Sequence, residues 1–142
     1  NQILCSMSRP HFFKGVCKVV LRLFRIINPT HAFFGLKDLQ QRYIIGQMVE
    51  DLDLSIQVIG CPIIRDENGL AESSRNQYLS EGNYKKALAF PNTLLKVKEK
   101  FTSGETSASK LIKYGYESLI QSKFEVDYID FFDPLNQCLE NI

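Results

Sequence analysis

Apolar residues recur every three to four positions over residues 12–27, and the same spacing returns over residues 37–53. This period is that of an α-helix with one buried face, so the sequence predicts an amphipathic helix in each stretch. Pro29 follows the first stretch at the place where a helix commonly ends. The positions predicted to face inward are Val16, Val20, Leu23, Phe24 and Ile27 in the first helix, and Ile45, Met48, Val49 and Leu52 in the second.

Two short apolar runs flank the second helix. "HAFFG" (31–35) and "SIQVIG" (55–60) have the length and composition of buried strands, and the second is rich in β-branched residues. A strand, a helix and a strand joined by short connections form a βαβ unit, which implies parallel strands and a right-handed crossover. Ligands of such sheets bind beyond the carboxyl ends of the strands. We therefore expect the chemistry to lie after residues 35 and 60.

The pattern changes after residue 63, where we place a domain boundary. Asn68-Gly69 is a strong signal for a tight turn. The elements predicted beyond it are a helix over 81–101 capped by Ser80 and bent at Pro91, a helix over 108–122 capped by Thr106 or Ser107, and a half-buried strand over 126–132. The predicted fold class is α/β, with a βαβ part in residues 1–63 followed by a small α+β lobe in residues 64–142.

Composition narrows the class of protein. The 142 residues are 44% hydrophobic and 23% charged, which is ordinary for a soluble globular protein. No apolar run approaches the roughly 18 residues that span a bilayer, and we see no secretory leader; the opening "NQILCSMSRP" resembles the middle of a longer protein. Four cysteines without a Cys-x-x-Cys pair favour reduced thiols in a cytoplasmic protein over a zinc site or disulfides.

Charge is unevenly distributed along the chain. Residues 1–37 contain six basic residues and no acid, so with a net charge of +1 the remainder carries −5. Lys14, Lys18 and Arg22 recur at intervals of four and share one helix face. That face is either a nucleic-acid patch or an ordinary solvated surface. We favour the solvated surface and expect no nucleic-acid partner, because no aromatic residues interleave to stack bases.

The first candidate site is "FFGLKDLQQ" (33–41), at the end of the first predicted strand. Gly35 would let a ligand approach the backbone, and Lys37 is a mobile charge suited to a phosphate. Asp38 would cap the following helix or receive a ribose hydroxyl, and Gln41 offers a donor and an acceptor to a small polar substrate. The alternative is that Asp38 is only a helix cap and Lys37 only a solvated side chain.

The second candidate site is "ESSRN" (72–76), which follows the second strand. Ser73, Ser74 and Arg75 together can donate to several phosphate oxygens, and such donors matter most where charge develops in a transition state. The alternative is a polar turn that caps the next helix. Two such sets at one sheet edge point to a polyanion, and we expect this to be the phosphates of a nucleotide.

These segments resemble the pantoate–β-alanine ligases, also called pantothenate synthetases. "FFGLKDLQQ" (33–41) resembles the family's F-G-x-K-D-x-Q-Q segment, and "GLAESSRNQYL" (69–79) its G-L-A-x-S-S-R-N-x-Y-L segment. "SRPHFFKGV" (8–16) is similar to the family's S-R-P-G-H-F-x-G-V. The resemblance covers residues 5 to 135, nearly the whole chain.

The resemblance implies a nucleotidyl-transferase Rossmann fold in a cytoplasmic enzyme that adenylates pantoate with ATP and Mg²⁺ and then joins it to β-alanine. It implies catalytic roles at the ATP phosphates for Lys37, Ser73 and Arg75, and a contact with pantoate for Gln41. We expect no protein metal site. The further positions that the resemblance places at the nucleotide are Gly35, Asp38, Ile64 and Ser74.

The sequence departs from the family pattern. The H-x-G-H nucleotide-binding motif of the N-terminal half is absent, as are the first strands of the sheet and, we expect, the strands after residue 142. His11-Phe12 replace Gly-His, Leu36 replaces an acid, and Glu72 replaces an apolar residue beside the phosphate loop. Two hypotheses stay open: the C-terminal portion of a working ligase, inactive by itself and either self-associating or paired with an N-terminal half, or a non-catalytic remnant that serves as a binding module.

Overall fold

A computed structural model describes residues 11–133 and 137–138 of the chain. The chain divides into two compact units, an N-terminal unit, Asn1–Ile63, and a C-terminal unit, Ile64–Ile142. Among the described helices, none is long and apolar enough to cross a membrane. The roles assigned above to the two parts of the chain stay predictions.

The N-terminal unit contains two helices and a two-stranded sheet. Its elements in chain order are α1 (Phe12–Ile27), β1 (His31–Gly35), a 3₁₀ turn (Leu36–Asp38), α2 (Leu39–Asp51) and β2 (Gln57–Cys61). Helix α1 ends at Asn28, which adopts a left-handed conformation (φ 50°) and donates its N–H to the carbonyl of Phe24. Asparagine tolerates this conformation, which closes a helix before Pro29.

Strands β1 and β2 pair in parallel, with His31 opposite Gln57 and Gly35 opposite Cys61. The predicted βαβ arrangement is therefore confirmed, with β2 starting and ending slightly later than expected. Both carboxyl ends lie at the same edge of the sheet. The buried core of the unit consists of Phe24, Ala32, Ile45 and Val49.

The N-terminal unit buries less of each helix than the sequence pattern predicts. Leu23, Ile27 and Leu52 are exposed rather than inward, because a sheet of two strands covers only a narrow stripe of each helix. Phe34 and Val58 are half-buried and pack against this core. Phe33 points the other way, as alternate residues of a strand must, and is 66% exposed.

The C-terminal unit begins with a hairpin. Gly69 has a positive φ of 86° and its N–H donates to the carbonyl of Asp66, while Arg65 and Ala71 form an antiparallel bridge. The predicted turn at Asn68-Gly69 is therefore confirmed. The elements that follow are a 3₁₀ helix (Ser74–Tyr78), α3 (Glu81–Ala87), α4 (Ala89–Thr102), α5 (Ala108–Gln121) and the antiparallel pair β3 (Phe132–Asp133) and β4 (Gln137–Cys138).

The predicted helix over 81–101 is interrupted at Leu88, which separates α3 from α4. Pro91 has no N–H to donate to the carbonyl of Ala87, four residues earlier, so the hydrogen-bond ladder is broken there. Ser80 caps α3 as predicted, because its hydroxyl accepts from the N–H of Asn83 at 3.2 Å. Ser107 precedes α5 without a side-chain cap, so a hydroxyl cap at Ser107 was wrong.

The strand predicted over 126–132 was wrong except at its last residue. The segment from 124 to 131 is irregular, and Ile129 packs against Gly115 of α5. A Cβ placed on Gly115 would lie 2.5 Å from Ile129 Cδ1, so the absence of a side chain permits this approach. The alternating pattern therefore reflects a chain packed on a helix. The residues buried around α4 and α5 are Thr93, Val97, Ala108, Leu111 and Leu119.

Candidate functional site

The residues at the carboxyl end of β1 form an exposed turn. Gly35 ends the strand, and Lys37 and Asp38 follow in the 3₁₀ turn, all three exposed. A Cβ added to Gly35 would meet no atom within 4 Å. The backbone of Gly35 has an ordinary φ of −67°, so the glycine is not required by strain. Because Gly35 has no side chain, the space above the end of the strand is free. A ligand that approaches the backbone closely would require such space.

Leu36 anchors this turn against the neighbouring strand. A Cβ on Gly60 of β2 would lie 2.7 Å from Leu36 Cδ2, so Leu36 lies across a position that only glycine leaves open. Lys37, which follows Leu36, remains at the surface. A residue that departs from the family pattern thus has a packing role at the edge of the sheet.

The alternative role of Asp38 as a simple helix cap is wrong. Asp38 is the residue preceding α2, but its carboxylate makes no capping hydrogen bond. Within the described part of the chain, neither the Asp38 carboxylate nor the Lys37 ammonium group has a hydrogen bond or an ion pair. An exposed carboxylate and an exposed ammonium group are therefore both available at the strand end.

Gln41 lies at a groove between α1 and α2. The groove has a volume of about 440 Å³ and is lined by Phe12, Gly15, Val16, Val19, Val20 and Gln41. Its walls are apolar apart from the amide of Gln41. Small-molecule sites commonly combine an apolar wall with a few polar groups that fix orientation. The groove suits a small molecule that has an apolar part and a polar group.

Arg42 has a structural contact that the sequence did not reveal. Its guanidinium donates from Nη2 to the carbonyl of Val58 at 3.1 Å, linking α2 to β2. No local pattern distinguishes such an arginine from one that binds a ligand. Arg42 therefore supports the sheet through this hydrogen bond.

The segment 72–76 forms a turn with its donors facing outward. Ser73 precedes the 3₁₀ helix and its hydroxyl oxygen accepts from the N–H of Arg75 at 3.3 Å, so its proton stays available to a ligand. The Asn76 amide donates to the carbonyl of Ala71 at 3.1 Å and is occupied by holding the loop. Ser74 and Arg75 are exposed. No hydrogen bond or ion pair of the Arg75 guanidinium occurs among the described residues.

Ile64 and Glu72 are joined through the backbone. The N–H of Glu72 donates to the carbonyl of Ile64 at 2.9 Å, which extends the hairpin by one rung. The side chain of Ile64 is exposed, as an apolar contact for a ligand would require. Glu72 is also exposed and places a negative charge beside the serines.

A hydrogen-bonded cluster holds the hairpin that leads into this loop. Asp66 Oδ1 accepts from the N–H groups of Asn68 and Leu70, and Asp66 Oδ2 accepts from the Tyr84 hydroxyl at 2.6 Å. The Asn68 amide in turn donates to the Tyr84 hydroxyl at 3.0 Å. The bond from Tyr84 is the main cause that lowers the pKa of Asp66, and it raises the pKa of Tyr84. Sequence reasoning missed this cluster, since its partners are 18 residues apart.

The sequence-predicted residues fall into two sets. Gly35, Lys37, Asp38 and Gln41 lie close together in the N-terminal unit, whereas Ile64, Ser73, Ser74 and Arg75 lie in the C-terminal unit. No group of three or more His, Cys, Asp or Glu side chains that suits a metal ion occurs in the described residues. Side chains that can donate to an anion occur in both sets: Lys37 in the first, and Ser73, Ser74 and Arg75 in the second.

Comparison with known proteins gives a consistent assignment. The family model of pantoate-beta-alanine ligase matches residues 1–141. The pantothenate synthetase of Caldicellulosiruptor saccharolyticus is 44% identical over 143 residues, which are 96% of this chain and 51% of the relative. The chain thus spans about half the length of the curated relatives that it matches, and corresponds to their C-terminal portion.

Solved structures agree with the fold. The crystal structure of pantothenate synthetase from Thermus thermophilus has a TM-score of 0.92 at 36% identity, covering 99% of this chain and 51% of that one. The pantoate-beta-alanine ligase of Francisella tularensis, complexed with beta-gamma ATP and beta-alanine, has a TM-score of 0.62 at 31% identity, covering 82% of this chain and 42% of that one. The α/β fold class and the family resemblance seen in the sequence are confirmed.

Proposed function

This chain belongs to the pantoate–β-alanine ligase family, and from that premise we propose that it is the C-terminal portion of an ATP-dependent, AMP-forming ligase that makes pantothenate. The reaction has two steps. A carboxylate oxygen of pantoate attacks the α-phosphorus of ATP, and the bond to the β-phosphate breaks to release pyrophosphate. The amine of β-alanine then attacks the acyl carbon, AMP leaves, and the amine gives up a proton.

The observation that carries this proposal is that the basic side chains of the family segments, Lys37 and Arg75, take no part in holding the fold. Arg42 and Arg65 donate to the backbone carbonyls of Val58 and Gly69 and hold the fold. Lys37 and Arg75, in contrast, have no partner in the described part of the chain. Lys37 lies in the 3₁₀ turn after β1 and Arg75 in the 3₁₀ helix Ser74–Tyr78, and both belong to the segments shared with the family. Cations that the fold leaves unpaired are available to neutralise a triphosphate.

We propose that Lys37, Ser73 and Arg75 bind the phosphates of ATP. In-line displacement at phosphorus needs positioning and neutralised charge more than covalent help from the protein. Lysine supplies a mobile charge, whereas arginine supplies a planar fork of donors. The Ser73 hydroxyl can donate while its oxygen keeps the bond from the Arg75 N–H.

The remaining candidate residues are assigned to other parts of ATP and to pantoate. We assign Gly35 and Asp38 to the ribose, Ser74 to the phosphates and Ile64 to an apolar contact with the nucleotide. Gln41 would orient pantoate in the α1–α2 groove, whose valines suit the branched carbon of that acid. Mg²⁺ would arrive with the nucleotide, since this ion binds mainly phosphate and water oxygens and needs few protein ligands. It would neutralise charge on the phosphates.

We expect the 142-residue chain alone to make no pantothenate. The chain corresponds to about half of its relatives, and effective molarities of about 10⁵ M or more arise only when both reactants are held in line. Glu72 further opposes phosphate binding by placing like charge beside the loop. We place the reaction in the cytoplasm, where reduced cysteines persist.

A chimera tests the proposed activity. The chain replaces the matching segment of the Caldicellulosiruptor saccharolyticus pantothenate synthetase, and AMP release is measured with MgATP, pantoate and β-alanine. We expect AMP release that depends on both acid and amine, and none from the chain alone. A folded chimera without turnover would contradict the ligase proposal and favour the non-catalytic binding module. Turnover by the chain alone would contradict the proposal that its site is incomplete.

The N-terminal unit leaves an apolar surface uncovered on α1, formed by Val19, Ile26 and Ile27, all more than half exposed. An apolar surface of this kind commonly marks an interaction site. We propose that the N-terminal half of a family enzyme covers it. Sedimentation should show a complex when that N-terminal half is added. The Ile26→Glu substitution should weaken this complex. Self-association without such a complex would instead identify a second copy as the partner, and a monomer in both experiments would refute both.

A further inference from the structure

We infer that Tyr84 is a positioning residue for the phosphate-binding loop 72–76, acting through its hydrogen bond to Asp66. The inference rests on the proposed function, because it concerns how the loop assigned to phosphate binding is held. Tyr84 lies on α3, beyond the loop in the chain, and does not itself belong to the donor set. Its hydroxyl is the connection between the helix after the loop and the hairpin before it.

Three observations make this connection specific. Asp66 closes the hairpin turn, since its carboxylate accepts from the N–H groups of Asn68 and Leu70 at 3.0 and 2.9 Å. The same carboxylate accepts from the Tyr84 hydroxyl at 2.6 Å. The Asn68 amide donates to that hydroxyl at 3.0 Å. The Tyr84 oxygen thus both donates and accepts, and one side chain joins the turn at two points.

The connection closes a ring around the loop. The chain runs from Asp66 through residues 72–76 to Ser80, which caps α3, and returns to Asp66 through Tyr84. The loop is further fixed at its start by the bond from the Glu72 N–H to the carbonyl of Ile64, and at its end by the bond from the Asn76 amide to the carbonyl of Ala71. A loop with fixed ends has fewer conformations to lose when it binds. The ring therefore presents Ser73 and Arg75 in a limited range of positions.

The test uses Tyr84→Phe, which deletes one oxygen and keeps the aromatic ring. Tyr116→Phe is the matched control, since Tyr116 is exposed on α5 in the same unit. The probe is inorganic tripolyphosphate, titrated calorimetrically into the 142-residue chain. We expect Tyr84→Phe to weaken binding about 5-fold by restoring loop freedom, and the control to leave it unchanged. Amide exchange should accelerate at residues 68–76 in Tyr84→Phe, while α4 and α5 keep their protection.

A titration of Asp66 by NMR adds a readout that general destabilisation would not move. Removing the Tyr84 hydroxyl should raise the pKa of Asp66 towards its ordinary value, because that bond is the main cause of its lowering. Unchanged exchange at 68–76 in Tyr84→Phe would overturn the inference.

The experiments distinguish a failure of the proposed phosphate binding from a failure of the positioning role of Tyr84. If Arg75→Ala weakens tripolyphosphate binding and Tyr84→Phe does not, phosphate binding stands and the positioning role falls. If the unmodified chain does not bind the probe but exchange accelerates in Tyr84→Phe, Tyr84 does hold the loop and the phosphate assignment fails.

Discussion

Replacing Arg75 with Ala in the chimera is expected to lower the rate of AMP formation by about 100-fold or more. Removing one donor aimed at charge that develops in a transition state commonly has an effect of this size. Arg75 is exposed on a turn fixed by Ser73 and is unpaired among the described residues, so the substitution removes charge without disturbing the fold. Lys37→Ala should have an effect in the same direction.

Arg25→Ala is the matched control for Arg75→Ala. Arg25 is exposed in the last turn of α1 and has no place in the proposed site, so the chimera should keep its rate. The measurement is steady-state AMP release at saturating pantoate and β-alanine, with ATP varied. Equal rates for the Arg75→Ala and unmodified chimeras would contradict the assignment of Arg75 to the phosphates.

Leu111→Ala is expected to lower the free energy of unfolding of the C-terminal unit by about 3 kcal/mol. Leu111 is 0% exposed and lies where α4 and α5 pack together. Truncation removes apolar contacts and leaves a cavity, and both terms act in the same direction. Chemical unfolding, followed by circular dichroism, measures the change.

Leu95→Ala serves as the control for Leu111→Ala, since it makes the same chemical change on the neighbouring helix. Leu95 is 55% exposed, and surface substitutions usually change stability by only about 0.5 kcal/mol. A similar loss for both variants would show that Leu111 does not pack in a core as described.

The sequence by itself determined the features that depend on local order. The apolar period placed α1 at residues 12–27, and the short β-branched run placed β2 within one or two residues. Asn68-Gly69 determined the hairpin turn because glycine readily adopts the positive φ required there. The motifs around Lys37 and Arg75 also identified the family. Each motif is a contiguous run of residues, so it can be recognised without knowledge of the fold.

Only the tertiary structure decided which side chains are occupied and which are free. Arg42 is engaged by Val58, whereas Arg75 has no such partner among the described residues, although both are arginines in polar surroundings. Ile129 packs on Gly115 instead of continuing a strand, and Tyr84 closes a ring with Asp66. Each of these contacts joins residues that are distant in the chain. Periodicity and turn chemistry depend only on residues that are neighbours in the chain. They therefore cannot predict contacts between residues that come together only when the chain folds.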